Sequence, residues 1–270
     1  ESSGIGGSAH LVNFSGTDNI PGILHSKLYY NSGIVGHSVP AMEHSTVTSW
    51  GRPNEVESYR NMIRQYPNGI VSIVSDSYNI YNACKMFGSV LKQDLIENNT
   101  QLVVRPDSGN PNVVIAECLQ LLDEYFGHTV NSKGYKVLNN VKILQGDGIT
   151  GRMIDSILDT VNCHKYSSDN LLFGQGGALL QGLDRDTQKF AMKCSAIKVN
   201  GEWRDVFKDP VTDPGKSSKK GRVTLYQDPD GKYYSDRDGS PDQLITVFEN
   251  GFLITDQKFE DIRQRAQITA

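Results

Sequence analysis

One construction recurs through residues 1–190: a short apolar run, a loop carrying an acid, a histidine or glycines, then a helix-patterned stretch. Ala9–Phe14 reads as a strand, followed by Ser15-Gly16-Thr17-Asp18 and a helical pattern to Tyr30. Ser38–Ala41 is a short strand ending in Met42-Glu43-His44-Ser45-Thr46. The helix after it spans Asn54–Tyr66, with Val56, Tyr59, Ile63 and Tyr66 on one face. Gly69–Val74 ends in Ser75-Asp76-Ser77 before a helix through about Phe87, and Leu102–Arg105 turns over Pro106-Asp107-Ser108-Gly109 into Asn112–Phe126. Val141–Leu144 leads through Gln145-Gly146-Asp147-Gly148 into Thr150–Cys163, and Leu171–Phe173 leads through Gly174-Gln175-Gly176-Gly177 into Ala178–Leu183. Such alternation predicts a parallel sheet wrapped in helices. Chemistry in these folds sits where the carboxyl ends of buried strands meet tight loops.

A closed eight-stranded barrel of this kind typically takes roughly 250 residues. The six units found here do not close one, and the chain opens on Glu1-Ser2-Ser3-Gly4 without an initiator methionine. The expectation is an incomplete barrel in a truncated chain. After about Phe190 the character changes. Met192–Val199, Trp203–Phe207, Arg222–Tyr226 and Leu244–Phe248 alternate like antiparallel strands, with breaks at Asn200-Gly201, Asp213-Pro214-Gly215, Asp228-Pro229-Asp230-Gly231 and Asn250-Gly251. Phe259–Gln267 reads as a short terminal helix. Two domains are expected: an α/β domain over 1–190, and a β-rich segment over 191–270 that belongs to a second, smaller domain and carries the basic loop Lys216–Gly221.

Composition narrows the function classes. A formal net charge of -4 gives no general reason to expect nucleic acid, and no apolar run is long enough to span a bilayer. Cys84, Cys118, Cys163 and Cys194 are widely spaced, and three lie in apolar helical stretches, so reduced core thiols in a cytoplasmic protein are expected. Gly215-Lys216-Ser217 resembles the end of a phosphate-binding loop, but Pro210 stands where that motif needs glycine. Neither Gly4-Ile5-Gly6-Gly7 nor the glycine run at 174–177 completes a dinucleotide fingerprint.

Several strand-end residues nevertheless carry chemistry. Arg105 offers a fixed fork of donors for phosphate or carboxylate, and Asp107 an acceptor for hydroxyls or Mg²⁺. The glycines at 174–177 expose backbone N–H groups suited to a phosphate monoester, with Arg185 further on as counter-charge. His44, with Glu43 beside it, suits a general base, a metal ligand or a phosphoryl acceptor, and spacing alone does not choose among these. His10, His25, His37, His128 and His164 read as structural or exposed.

Longer stretches carry a resemblance. Ser-Ala-His-Leu-Val-Asn-Phe-x-Gly-Thr-Asp (8–18), Val-Pro-Ala-Met-Glu-His-Ser-Thr (39–46), Val-Ser-Asp-Ser-Tyr-Asn-Ile-Tyr-Asn-Ala (74–83) and Arg-Pro-Asp-Ser-Gly-Asn-Pro (105–111) are similar to the nicotinamide phosphoribosyltransferase family. So are Asn-Ser-Lys-Gly-Tyr-Lys (131–136), Gln-Gly-Asp-Gly (145–148), Phe-Gly-Gln-Gly-Gly-Ala-Leu-Leu-Gln (173–181) and the stretch from Phe207 to Arg222. The resemblance covers nearly the whole chain. It implies an irregular (β/α) barrel of the type II phosphoribosyltransferase kind, incomplete here, plus the smaller β-rich domain.

The implied reaction joins nicotinamide to 5-phosphoribosyl pyrophosphate, giving nicotinamide mononucleotide and pyrophosphate in NAD salvage. ATP hydrolysis is coupled through a phosphohistidine that the match puts at His44. Glu43 and Asp76 would orient that imidazole. Asp18 would accept from the carboxamide N–H₂, where a carboxylate would be repelled. Ser72 and Arg105 fall near the base and its ribosyl group; Asp107, Gly146 and Asp147 match the groups around the ribose hydroxyls; Gly176, Gly177 and Arg185 match the 5′-phosphate site. Lys193, Lys208 and Lys216 resemble basic residues near the polyphosphate. Mg²⁺ would arrive on the pyrophosphate. The family forms homodimers with the active site at the subunit interface, and its stacking aromatics come from upstream segments, so little activity is expected of this chain alone. The alternatives are nicotinate phosphoribosyltransferase and an inactive fragment serving as a dimerisation or binding module.

Overall fold

A computed structural model of the chain describes residues 1–182, 192–212, 215, 217–235 and 241–267. They form two compact units, residues 1–183 with 266–270, and residues 184–265. The first unit begins with helices α1 (Ser2–Asn13), α2 (Ile20–Tyr30), α3 (His44–Thr48) and α4 (Glu55–Gln65). Strand β1 (Ile70–Val74) follows, then α5 (Ile80–Ser89), α6 (Lys92–Glu97), β2 (Gln101–Arg105) and α7 (Pro111–Phe126). The hairpin β3 (His128–Val130) and β4 (Lys136–Leu138) precedes β5 (Val141–Gln145), α8 (Gly151–Cys163), β6 (Leu171–Phe173) and the single turn α9 (Gly177–Leu180).

β1, β2, β5 and β6 form a parallel sheet in that order. β1 is almost wholly β-branched, which suits a strand covered on both faces. Ile73 stands opposite Val104, and Val104 opposite Ile143, so one face of the sheet meets Phe87, Leu119 and Ile157 of the helices in a single core. Each such side chain contributes about 1.5–3 kcal/mol on burial. Because side chains alternate, Ser72, Val103 and Arg105 share the opposite face. Local signals set the helix limits. Asn110 accepts from the Asn112 backbone N–H ahead of Pro111, which needs no donor at the first helical position, and α7 stops at Gly127 with φ +70°. The Thr150 side chain caps α8 by accepting from Met153.

Two expected strands differ. Ala9–Phe14 is not a strand; its residues through Asn13 close α1. The alternation there matches either state, and tertiary packing decides. Gly7 and Gly22 let α1 and α2 touch backbone to backbone, and Leu11 is fully buried against Gly36. Pairing moves to Ser15–Thr17, where the Thr17 N–H donates to the His37 carbonyl and the His37 N–H to that of Ser15. Ser38–Ala41 is reduced to a parallel bridge between Ala41 and Ser72. Pro40 accepts from the Ser72 N–H at 2.8 Å but has no N–H to continue a ladder. Cys84 and Cys118 are buried, whereas Cys163 ends α8 in solvent and Cys194 is also exposed, so the core reading of Cys163 is corrected. All four are free thiols.

In the second unit β7 (Ala196–Val199) pairs antiparallel with β8 (Glu202–Asp205), β9 (Leu225–Gln227) with β10 (Tyr233–Ser235), and β11 (Phe248–Glu249) with β12 (Phe252–Leu253). Helix α10 spans Phe259–Ala266. Asn200-Gly201 and Asn250-Gly251 both take the left-handed backbone that tight hairpins require. The strands are shorter than the sequence pattern suggests, and among the described residues each ladder of this unit has two strands. No helix among the described residues is long and apolar enough to cross a membrane.

Candidate active site

The loops after residues 37–41, β1 and β2 converge on one imidazole. His44 opens α3, whose cap fixes its place: the Glu43 carboxylate accepts from the Ser45 N–H at 2.8 Å and from the Ser45 hydroxyl, while Thr46 Oγ1 accepts from the Glu43 N–H at 3.0 Å. The Ser45 hydroxyl and N–H, with the charges of His44 and Arg105 behind them, hold the Glu43 carboxyl below its usual range. Glu43 therefore commits its Oε2 to the helix cap, beside the imidazole.

Asp76 is the residue bonded to the ring. It lies just past β1 with its side chain 7% exposed, and its Oδ1 is 3.0 Å from His44 Nε2. Burial pushes the Asp76 carboxyl up. Hydrogen bonds from Ser108 and His44 and from the Asp107 backbone outweigh that, so it stays below its ordinary value. A charge-assisted hydrogen bond of this kind contributes about 1.5–3 kcal/mol. The second ring nitrogen, Nδ1, is 3.9 Å from Asp107 Oδ2.

Arg105 ends β2. One η nitrogen donates to the Met42 carbonyl at 2.9 Å, which ties the β2 edge to the chain leading into His44. Its Nε is buried and has no hydrogen-bond partner among the described residues, leaving a donor on the face shared with Ser72. Ser72 is 2% exposed. Asp18 is exposed and accepts from the Ser38 hydroxyl; Asn19 occupies the cap position of α2.

At the end of β5 the Gln145 amide donates to the Asp147 carbonyl at 3.3 Å, and the Asp147 side chain is exposed. Gly146 and Gly174 sit close, since a Cβ on Gly174 would lie 3.4 Å from the Gly146 Cα. A Cβ at Gly176 or Gly177 would meet nothing within 4 Å, so close packing does not require glycine at either position. Lys193 and Lys208 are exposed in the second unit, and Arg185 and Lys216 lie outside the described residues.

Sequence reasoning missed the hydroxyls. Ser108, Ser45 and Ser38 each bond a carboxylate singled out above, but a serine in a polar loop gives no sign of which loop it will reach.

Residues 1–252 match the model of the nicotinate phosphoribosyltransferase (NAPRTase) family. The nicotinamide phosphoribosyltransferase of Xanthomonas campestris pv. campestris is 50% identical over 277 residues, covering 98% of this chain and 59% of that protein. Its namesake from Acinetobacter baylyi is 40% identical over 96% of this chain and 57% of its own length, and that of Mycoplasma pneumoniae is 37% identical over 80% and 49%. The chain thus spans from about half to three-fifths of the curated relatives it matches. Its parallel sheet, the charged residues along that sheet's carboxyl edge and these matches agree: the chain belongs to the nicotinate phosphoribosyltransferase family.

Proposed function

We propose that this chain supplies the strand-end rim of an enzyme that joins nicotinamide to 5-phosphoribosyl pyrophosphate, giving nicotinamide mononucleotide and pyrophosphate in NAD salvage. ATP hydrolysis is coupled through a phosphohistidine at His44. One observation carries the reading: an imidazole with Asp76 at 3.0 Å on Nε2 and Asp107 at 3.9 Å from Nδ1, on a rim shared with Arg105. An acceptor-only carboxylate on Nε2 favours a proton there and a lone pair on Nδ1, which suits phosphoryl transfer.

The remaining roles follow from residue chemistry. Displacing pyrophosphate builds positive charge on the anomeric carbon, so the site must hold the ribose still and bind the departing anion. Asp107, Gly146 and Asp147 take the ribose hydroxyls. Gly176 and Gly177, with open space above them, take the 5′-phosphate together with Arg185. Ser72 and Arg105 face the base and its ribosyl group, Asp18 accepts from the carboxamide, and Lys193, Lys208 and Lys216 attend the polyphosphate. Among the described residues no cluster of three acids, histidines or cysteines is placed to hold a metal. The rim offers single exposed or half-exposed carboxylates, Asp107 and Asp147, a donor set that fits Mg²⁺ held mainly by substrate phosphates. The cation would supply charge neutralisation on the leaving pyrophosphate. The sheet is the described part of an irregular barrel, and the enzyme is a cytoplasmic homodimer whose partner subunit completes the base site.

Labelled ATP tests the reading. Acid-labile phosphate should appear on the full-length wild-type enzyme and be lost in its His44→Ala variant. Competition between nicotinamide and nicotinate in a mononucleotide-forming assay tests the base; preference for nicotinate would replace the first with the second.

A further inference from the structure

Ser108 has no part in the reaction above, yet its hydroxyl reaches across from the β2 loop to the loop after β1. Oγ–H donates to Asp76 Oδ2 at 2.5 Å, while the other oxygen, Oδ1, is taken by His44 Nε2 at 3.0 Å. We propose that Ser108 is a positioning residue that fixes the tautomer of His44, by pinning the Asp76 carboxylate so that Nε2 carries the proton and Nδ1 keeps its lone pair towards Asp107.

The argument starts at the turn. Pro106 is buried, and Gly109 has φ +86°, a conformation L side chains rarely adopt. A Cβ on Gly109 would also approach Val114 to 3.0 Å, so this turn needs glycine and sets where Ser108 points. A serine in a Pro-Asp-Ser-Gly turn ordinarily bonds its own backbone, whereas this one bonds a carboxylate 32 residues away. That carboxylate needs anchoring, because rotation about its terminal torsion is soft and two-fold; the Asp107 backbone also donates to it, and Ser108 supplies the side-chain bond that claims Oδ2. With Oδ2 held by Ser108, Oδ1 is fixed in the direction of the imidazole. An ionised carboxylate only accepts, so the nitrogen it faces must donate, and the other nitrogen of the neutral ring is left unprotonated. The low Asp76 pKa agrees with this, since Ser108 donates to the charged form.

The functional consequence rests on His44 being the phosphoryl acceptor; the tautomer itself does not, and the experiment separates the two. The chain is labelled with ¹⁵N-histidine and followed by long-range ¹H–¹⁵N correlation from about pH 5 to about pH 8, with His44 assigned by its loss in His44→Ala. Wild type should show the Nε2–H tautomer. Ser108→Ala should weaken that preference, and Ser108→Thr, which keeps the hydroxyl at an exposed position, should restore it. An unchanged tautomer in Ser108→Ala, or a threonine variant that behaves like alanine, would overturn the proposal. In parallel, phosphate incorporation from ATP should slow about tenfold in Ser108→Ala. If the full-length enzyme takes up no acid-labile phosphate while the tautomer still responds, the phosphohistidine reading fails and the positioning role stands.

Discussion

Replacing Gly22 by alanine sets two effects of known sign against each other. Alanine is the better helix former by at most about 1 kcal/mol at a position this near the start of α2. Against that, a Cβ at Gly22 would lie 2.9 Å from both Cα and C of Gly7 and 3.2 Å from the Ser8 nitrogen. All three atoms are backbone, so no side chain can swing aside and the two helices must separate. Overpacking of this kind costs about 1–3 kcal/mol. The clash wins, with a net destabilisation of about 1 kcal/mol. Hydrogen–deuterium exchange reads that locally: amides of α1 and α2 should exchange about fivefold faster, while those of β1 and α7 are unchanged. Gly151→Ala is the control, because a Cβ at the first residue of α8 meets nothing within 4 Å. It should leave exchange unchanged or slow it slightly. Slower exchange in Gly22→Ala would refute the argument, as would identical behaviour of the two variants. The result also bears on the rim, since the loop joining α1 to α2 holds Asp18 against Ser38.

Two further outcomes follow from the polar contacts. Asp123 gathers Lys136 at 2.9 Å, the Tyr166 hydroxyl at 2.9 Å and His128 at 2.5 Å. Burial raises its carboxyl, but these partners more than offset that and leave it below its ordinary value. A depressed folded pKa stabilises above the unfolded value of about 4, and the benefit is lost as pH falls through the folded value. Asp123→Asn should lower neutral-pH stability by about 1–3 kcal/mol and flatten the acid side of a urea-midpoint profile; parallel profiles would sink the argument. Arg105→Ala removes the tie to the Met42 carbonyl and the buried Nε donor together. In the full-length enzyme it should cut mononucleotide synthesis roughly a hundredfold, and turnover within about twofold of wild type would show that Arg105 is not at the site.

The parallel sheet was legible because its signal is local and repeated. The β-branched run at 70–74 and the apolar stripe of α7 leave little choice of state, and caps such as Asn110 and Thr150 mark their own helices. The first strand was not legible. Gly4, Gly6 and Gly7 are poor helix formers, and packing against later segments, with Gly22 against Gly7 and Gly36 against Leu11, makes a helix there favourable. The candidate site divides the same way. His44, Asp76 and Arg105 stand out because they follow strands, and the fold brings the loops of all three together. That Glu43 would cap α3 through Ser45 while Asp76 took the imidazole depends on side-chain reach across loops, which spacing does not encode.

The order of strands in the sheet also bears on how it assembles. β1, β2, β5 and β6 are neighbours in space in the order in which they leave the ribosome, so each can add to an edge already formed. Among the described residues, the segments on the other side of β1 join by isolated bridges alone, at Gly16–His37 and Ala41–Ser72, although they are synthesised before it. They have no ladder to hold them until β1 exists. The loop bearing His44 is therefore ordered late, by a strand made after it, and folding kinetics monitored at His44 should lag behind those of the β1–β2 core.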